Sequence, residues 1–158
     1  SRGLGDVYKR QISGQLKEIS PYKKYYPQKI KKLYASIKDP LYSQLQTSKT
    51  EFKDMFLIEI RRGCSWGCRF CAAGYVYRPP RNVDYDSLIS ILDRAIPENK
   101  KIGLIGTSVS EYPKLNDICR FIKEKGGGFS ISSLRFNTLT KELIKGLKES
   151  TIYRWIAV

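Results

Sequence analysis

Residues 55–74 read MFLIEIRRGCSWGCRFCAAG, an apolar run that leads directly into a loop with three cysteines. The run from Met55 to Ile60 has the length and the branched apolar composition of a buried β-strand. Two later runs, Lys101 to Ile105 and Phe129 to Leu134, have the same character and follow helical patterns. Strands that alternate with helices in this way predict a parallel sheet built from right-handed βαβ units.

Three segments carry apolar residues at helical spacing. Asp84 is expected to cap a helix from about Tyr85 to Ala95. Two more helices are expected from about Lys114 to Lys125 and from Thr140 to about Lys148, and a fourth strand at Tyr153 to Val158. About three and a half βα units cannot close an eight-stranded barrel. We therefore predict an α/β fold that is an incomplete (β/α) TIM-like barrel, in a chain that is a fragment of a longer protein.

The sequence divides into three parts. Residues 1–11 show no hydrophobic period and resemble a translated adapter, so we expect them to be non-native. Residues 12–49 are polar, rich in tyrosine and broken by prolines, which predicts a polar connecting arm with one short helix near Gln28 to Ile37. Residues 50–158 hold the alternating strands and helices, and we interpret them as the amino-terminal part of a truncated core domain.

The composition is that of an ordinary globular domain, with 41% apolar and 28% charged residues in a chain of 158. No run approaches the roughly 18 apolar residues that span a bilayer, and no signal-peptide pattern opens the chain. We therefore expect a soluble, cytoplasmic protein without membrane association, whose four cysteines are reduced thiols rather than a disulfide framework.

The formal net charge of +14 favours anionic partners, such as a phosphate-bearing substrate, an acidic protein or RNA. Lysines that only solvate a surface would give the same charge, and none of the usual RNA-binding motifs is present. The chain contains no histidine. This removes the commonest general base, the commonest zinc ligand and the usual lower ligand of a bound cobalamin.

The cysteine loop carries the strongest chemical signal. Cys64, Cys68 and Cys71 have the spacing CxxxCxxC, flanked by glycines that let the backbone wrap closely around a bound group. Three thiolates on one tight loop can reach three corners of a 4Fe–4S cluster and leave the fourth iron open to a small chelating molecule. A structural zinc site usually takes four cysteine or histidine ligands, and a disulfide would not explain cysteines packed among glycines. Cys119 is predicted to be a buried thiol on a helix.

CxxxCxxC with an aromatic residue, Phe70, directly before the third cysteine resembles the signature of the radical S-adenosylmethionine (radical SAM) superfamily. The resemblance implies a barrel of the radical SAM type in which the three cysteines hold a 4Fe–4S cluster. It also implies that S-adenosylmethionine binds the open iron and is split reductively to methionine and a 5′-deoxyadenosyl radical, which abstracts hydrogen from a substrate. An electron donor such as flavodoxin or ferredoxin would be the partner.

Residues 50–81 are similar, more narrowly, to radical enzymes that carry a cobalamin-binding domain upstream. Cobalamin is therefore expected only of a full-length parent protein.

The resemblance also implies cofactor contacts after each strand. Backbone atoms of the stretch after the second strand would meet the amino group of S-adenosylmethionine, and residues after the third strand its ribose or carboxylate. Phe70 would pack near the adenine or the cluster. The alternatives are an ordinary turn after the second strand, a surface position for the arginine after the third strand, and a core position for the aromatic residue Phe70. The candidates after the second strand are Gly106, Thr107 and Ser108, and the candidates after the third strand are Ser132 and Arg135.

No residue is singled out as catalytic, and no substrate is named by the sequence. The alternative function is a non-catalytic iron–sulfur or zinc module that binds RNA through a basic surface.

Overall fold

The computed structural model describes residues 7–12, 15–21, 33 and 36–150, and the chain divides into two compact units, residues 1–35 and 36–158. In the first unit, strands β1 (Val7–Ile12) and β2 (Gln15–Pro21) form an antiparallel hairpin with a register shift between Arg10 and Gln11. Strand β1 lies mostly within the residues 1–11 that the sequence analysis set aside. The three-part division of the chain stays a prediction.

The second unit is a four-stranded sheet with helices. Its strands are β3 (Phe56–Arg62), β4 (Arg81–Asn82), β5 (Lys101–Gly106) and β6 (Gly128–Ile131), in the spatial order β4-β3-β5-β6. Its helices are α1 (Ala73–Val76), α2 (Tyr85–Ala95), α3 (Leu115–Glu124) and α4 (Lys141–Ser150), with 3-10 turns at Val109–Glu111 and Phe136–Thr138. Strands β3, β5 and β6 run parallel, whereas β4 runs antiparallel to β3.

One hydrophobic core joins the sheet to the helices. Alternate residues of a strand point to the same face, and the buried apolar side chains follow this spacing at Phe56, Ile58 and Ile60 on β3 and at Ile102 and Leu104 on β5. Apolar residues at helical spacing on α2, α3 and α4 cover that face. The largest fully buried side chains are Ile58, Ile60, Leu88, Leu92, Ile96, Ile102, Leu104, Val109, Ile118, Ile122 and Phe129.

The mixed α/β architecture predicted from the sequence is confirmed for residues 50–150. The three predicted helices and the first three strands are present, with ends shifted by three residues or fewer. Asp84 caps α2 as expected, since its carboxylate accepts a hydrogen bond from the backbone N–H of Ser87 at 3.0 Å. That hydrogen bond stabilises the charged carboxylate and lowers the pKa of Asp84.

Other details differ from the prediction. Strand β6 ends at Ile131, not Leu134, because the side chains of Ser132 and Ser133 bond to Gly106 at the point where the ladder would continue. The antiparallel strand β4 was not predicted, since two polar residues after a proline pair show no alternation. The predicted helix at 28–37 lies outside the described residues apart from 33, 36 and 37, which are not helical, and the predicted strand at 153–158 lies outside them entirely.

The segment 41–43 lies along the first half of β3. The backbone N–H of Glu59 donates to the carbonyl of Leu41 at 2.8 Å, and the N–H of Ser43 donates to the carbonyl of Leu57 at 2.9 Å. Strand β4 pairs with the other half of β3, at Arg61 and Arg62. Both halves of this edge of β3 are therefore hydrogen-bonded. None of the helices in the described part of the chain is long and apolar enough to span a membrane.

Leu104→Ala is expected to lower the free energy of unfolding by about 2–5 kcal/mol, because it leaves a cavity at a fully buried position of the central strand. Urea denaturation followed by circular dichroism measures the change. Leu45→Ala is the matched control, since Leu45 is 88% exposed and its truncation is expected to stay within about 0.5 kcal/mol. Equal effects of the two substitutions would contradict the position of the core.

Candidate functional site

The carboxyl ends of β3, β5 and β6 meet at one edge of the sheet, which is where parallel α/β proteins place their ligands. The cysteine loop follows β3, the stretch 106–111 follows β5, and residues 132–135 follow β6. Every candidate residue predicted from the sequence lies in one of these three segments. The fold therefore brings together stretches that are separated by up to about 70 residues along the chain.

Close backbone contacts fix the path of the cysteine loop. Gly63 has φ +86°, and a Cβ atom added there would lie 2.1 Å from the carbonyl oxygen of Tyr77. A Cβ atom added at Gly74 would lie 2.1 Å from the carbonyl oxygen of Trp66. No residue with a side chain fits either position without moving the backbone. The loop is therefore folded tightly back on itself and on α1.

Two side chains from α1 and the turn after it hold the loop from one side. The hydroxyl of Tyr75 donates to the carbonyl of Gly67 at 2.9 Å, and the guanidinium of Arg78 donates to the carbonyl of Ser65 at 2.5 Å. The guanidinium of Arg78 also lies 6.0 Å from the centre of the Tyr75 ring. The sequence analysis identified no role for Arg78, and its position shows that it ties the cysteine loop to the following segment.

The three loop cysteines are free thiols at different depths. Cys64 is buried, whereas Cys68 and Cys71 are half-buried. The backbone N–H of Trp66 lies 3.4 Å from the sulfur of Cys64 and donates to it, a contact that also tunes the sulfurs of iron–sulfur clusters. Among the described residues, no three His, Cys, Asp or Glu side chains are arranged to hold a single metal ion. A cubane cluster makes a different demand, because its three thiolates bind three separate irons, and this donor set fits it chemically.

Two candidates from different segments are in direct contact. The hydroxyl of Ser132 donates to the carbonyl of Gly106 and accepts from its N–H, both at 3.2 Å. Ser133 donates to the same carbonyl at 2.9 Å. A Cβ atom at Gly106 would lie 2.2 Å from the carbonyl oxygen of Arg61, so the backbones of β3 and β5 approach closely where both strands end. These contacts hold the ends of β3, β5 and β6 together.

Ser108 has two uncommon features. It adopts a left-handed backbone conformation, with φ 56° and ψ 51°, which costs energy for any residue with a side chain. It is 6% exposed, and its hydroxyl has no hydrogen-bond partner within the part of the chain that the structure describes. Thr107 beside it is half-buried, whereas Phe70 is 93% exposed at the surface of the cysteine loop.

The sequence analysis missed a buried ion pair at this edge. Arg61 is 5% exposed, and its guanidinium lies 3.1 Å from the carboxylate of Glu111. It also donates to the side chain of Asn82 at 2.7 Å and to the hydroxyl of Ser65 at 3.4 Å. The only sequence signal was a pair of arginines, Arg61 and Arg62, directly after the predicted strand Met55 to Ile60. The partner of Arg61, Glu111, lies 50 positions later, so the residues near Arg61 in the sequence do not indicate the pair.

Arg135 and Trp66 complete the same cluster. The Nε atom of Arg135 lies 3.6 Å from the Glu111 carboxylate, and its guanidinium lies 4.0 Å from the centre of the Trp66 ring. The indole N–H of Trp66 donates to that carboxylate as well. The sequence predicted that Arg135 contacts the carboxylate of bound S-adenosylmethionine. In the structure Arg135 contacts Glu111 and Trp66, and its contact with the cofactor stays a prediction.

The family is decided by comparison of the sequence with known proteins. The family model described as "Radical SAM superfamily" matches residues 58–158, which include the cysteine loop and all three strand ends. The chain belongs to the radical SAM superfamily. The resemblance stated from CxxxCxxC is thus confirmed, whereas the narrower likeness to cobalamin-dependent members is not tested.

This radical SAM chain is also similar to an uncharacterized protein of Methanocaldococcus jannaschii. The two are 35% identical over 154 residues, which cover 93% of this chain and 34% of the relative. The chain therefore spans about a third of the length of that relative.

The fourth cysteine of this radical SAM chain lies apart from the loop, on α3. Cys119 is 6% exposed, and burial raises the pKa of its thiol to about 12 because the thiolate loses its hydration. At neutral pH it is therefore a protonated, unreactive thiol, as expected for a packing residue. The prediction of a buried helical thiol is confirmed.

Cys119 is expected to resist alkylation by iodoacetamide at pH 8 in the folded, metal-free chain, whereas Cys68 and Cys71 react. The reason is that the reagent needs an accessible thiolate, and the pKa of Cys119 near 12 leaves almost none. Mass spectrometry of tryptic peptides locates the modified cysteines. In urea all four cysteines are expected to react, and modification of Cys119 as fast as Cys68 in the folded chain would contradict its burial.

Proposed function

We propose that this chain is the part of a radical SAM enzyme that binds a 4Fe–4S cluster through Cys64, Cys68 and Cys71. The observation that carries the proposal is the family match over residues 58–158 together with three free thiols on one tethered loop at the carboxyl edge. Membership of the superfamily implies possible radical chemistry. The cluster, its cofactor and its reaction are the proposed part.

When bound, the cluster supplies the electron that splits the sulfonium of S-adenosylmethionine into methionine and a 5′-deoxyadenosyl radical, which abstracts hydrogen from an unidentified substrate. The residues of the chain would hold the cluster in place. Gly63 and Gly74 keep the loop backbone compact, and the N–H of Trp66 donates to the sulfur of Cys64. Such N–H···S contacts stabilise the more negative form of a thiolate-bound group.

We propose that S-adenosylmethionine lies across the strand ends. The buried, unpartnered hydroxyl of Ser108 supports a polar ligand there, because burying such a group alone costs free energy that a ligand would recover. Gly106 and Ser132 form the adjoining wall through their mutual hydrogen bonds. Thr107 and Arg135 border the same edge, and Phe70 offers an exposed aromatic face for an adenine ring.

The finer fold assignment is also proposed. Three parallel strands with helices on one face are compatible with the beginning of an incomplete (β/α) barrel of the radical SAM type. We further propose an electron donor such as flavodoxin or ferredoxin and an unidentified substrate that carries an anionic group. The proposal also includes a cytoplasmic location, and cobalamin only in a full-length parent protein.

Anaerobic reconstitution with iron and sulfide, followed by electron paramagnetic resonance of the dithionite-reduced protein, tests the proposal. A reduced-cluster signal that shifts when S-adenosylmethionine is added is expected, since the cofactor would bind the open iron. Formation of 5′-deoxyadenosine, measured by chromatography, reports the cleavage itself. Bound zinc without a cluster signal would contradict the proposal and favour a non-catalytic module, with RNA as the next ligand to test.

Cys64→Ala, Cys68→Ala and Cys71→Ala are each expected to abolish the cluster signal and to remove most of the bound iron. Cys119→Ala is the matched control and is expected to keep both, because its thiol is buried on α3 away from the loop. Iron and acid-labile sulfide analysis measures the content. A full cluster in all three loop variants would overturn the ligand assignment.

A further inference from the structure

The carboxylate of Glu111 contacts one residue of β3, one of the cysteine loop and one of the segment after β6. It pairs with Arg61 at the end of β3 at 3.1 Å and with Arg135 after β6 at 3.6 Å, and it accepts the indole N–H of Trp66 from the cysteine loop. Glu111 itself follows β5, in the 3-10 turn Val109–Glu111. One side chain thus joins the loop to all three parallel strands.

We infer that Glu111 is a positioning residue that holds the cysteine loop in one orientation through Trp66. Trp66 stands between Cys64 and Cys68 in sequence, so the orientation of its backbone sets the directions of both thiols. The backbone N–H of Trp66 donates to the sulfur of Cys64, so the residue that carries the ring also contacts that thiol. The inference adds to the proposed function. It rests on that proposal only for the measurement that is made on the reconstituted cluster.

The charges of this cluster explain why a carboxylate is needed. Arg61 and Arg135 carry two positive charges, and their side chains are 7% and 26% exposed. Glu111, with a side chain 13% exposed, is the anion between them. Without it, two sheltered guanidinium groups would lose the anion that both of them contact.

The stacking of Arg135 on Trp66 makes the arrangement directional. The guanidinium carbon lies 4.0 Å from the ring centre, within the range of a cation–π contact. The ring is therefore held on one face by Arg135 and at its N–H by Glu111. Two contacts of different direction fix both the tilt and the rotation of the indole, which a single hydrogen bond would not do.

Trp66 fluorescence tests the inference in the metal-free chain. The chain has two tryptophans, so Trp155→Phe provides a background in which Trp66 is the only one. In that background, Glu111→Gln is expected to lower, by roughly tenfold, the ratio of chains whose Trp66 ring contacts residue 111 to chains whose ring is released. The reason is that hydrogen bonds to a charged group are stronger than those to a neutral one. Acrylamide quenching of Trp66 is then expected to rise and its emission to move to longer wavelength. Arg135→Lys, which keeps the charge and loses the flat stacking group, is expected to act in the same direction.

Glu59→Gln is the matched control. Glu59 lies on β3 and, like Glu111, pairs with an arginine, Arg62. Its side chain is 16% exposed, and the ion pair and hydrogen bonds that the described residues give it do not include Trp66. Its substitution is expected to leave quenching unchanged. Unchanged quenching in Glu111→Gln and Arg135→Lys, or an equal rise in Glu59→Gln, would overturn the inference. Loss of helical circular dichroism in Glu111→Gln would also overturn it, by assigning Glu111 to folding of the core.

The reconstituted protein provides the second readout. Glu111→Gln is expected to retain iron but to give a broadened or altered resonance of the reduced cluster, whereas Glu59→Gln keeps the parent spectrum. An unaltered spectrum at full cluster content would count against positioning of the thiols. If the parent chain takes up no cluster, the proposed function fails, and the fluorescence of the metal-free chain still decides whether Glu111 holds the loop.

Discussion

The ion pair of Arg61 and Glu111 is the contact on which the candidate site depends. It lies where β3 and β5 end, and both side chains are sheltered from solvent. In such a setting a charge without its partner is costly, so each residue requires the other. Asn82 on β4 and Ser65 in the cysteine loop add hydrogen bonds to the same guanidinium. The interaction thereby connects an edge strand, two parallel strands and the loop that carries the thiols.

Glycine makes this arrangement possible at the level of the backbone. Added Cβ atoms at Gly63, Gly74 and Gly106 would each lie about 2 Å from a carbonyl oxygen. The backbone of the cysteine loop therefore packs directly against other backbone, with no side chain between them. Tyr75 and Arg78 then fasten it through hydrogen bonds to its carbonyl groups. The path of the loop is thus set by close contacts of its backbone and by these two side chains.

Much of the fold was predictable because its signals are local. Apolar runs such as Met55 to Ile60 and the helical spacing after Asp84 depend only on neighbouring residues, and the cysteine spacing is a continuous motif. The partners of Glu111 lie 24 to 50 positions away, and nothing near Glu111 in the sequence indicates them. The left-handed backbone of Ser108 is equally hidden, since serine has no special preference for it. The sequence thus identified the cysteine loop but not the contacts that surround it.

The two edges of the sheet differ in a way that gives the fold a direction. The edge of β3 is hydrogen-bonded along both halves, by segment 41–43 and by β4. Within the described residues, β6 has a strand partner on one side only, β5. Within the same residues, a further strand that runs parallel to β6 can therefore join at the outer edge of β6 without displacing existing hydrogen bonds. A strand in that position would lie on the side of β6 that faces away from β3 and would widen the carboxyl edge on which the candidate residues lie.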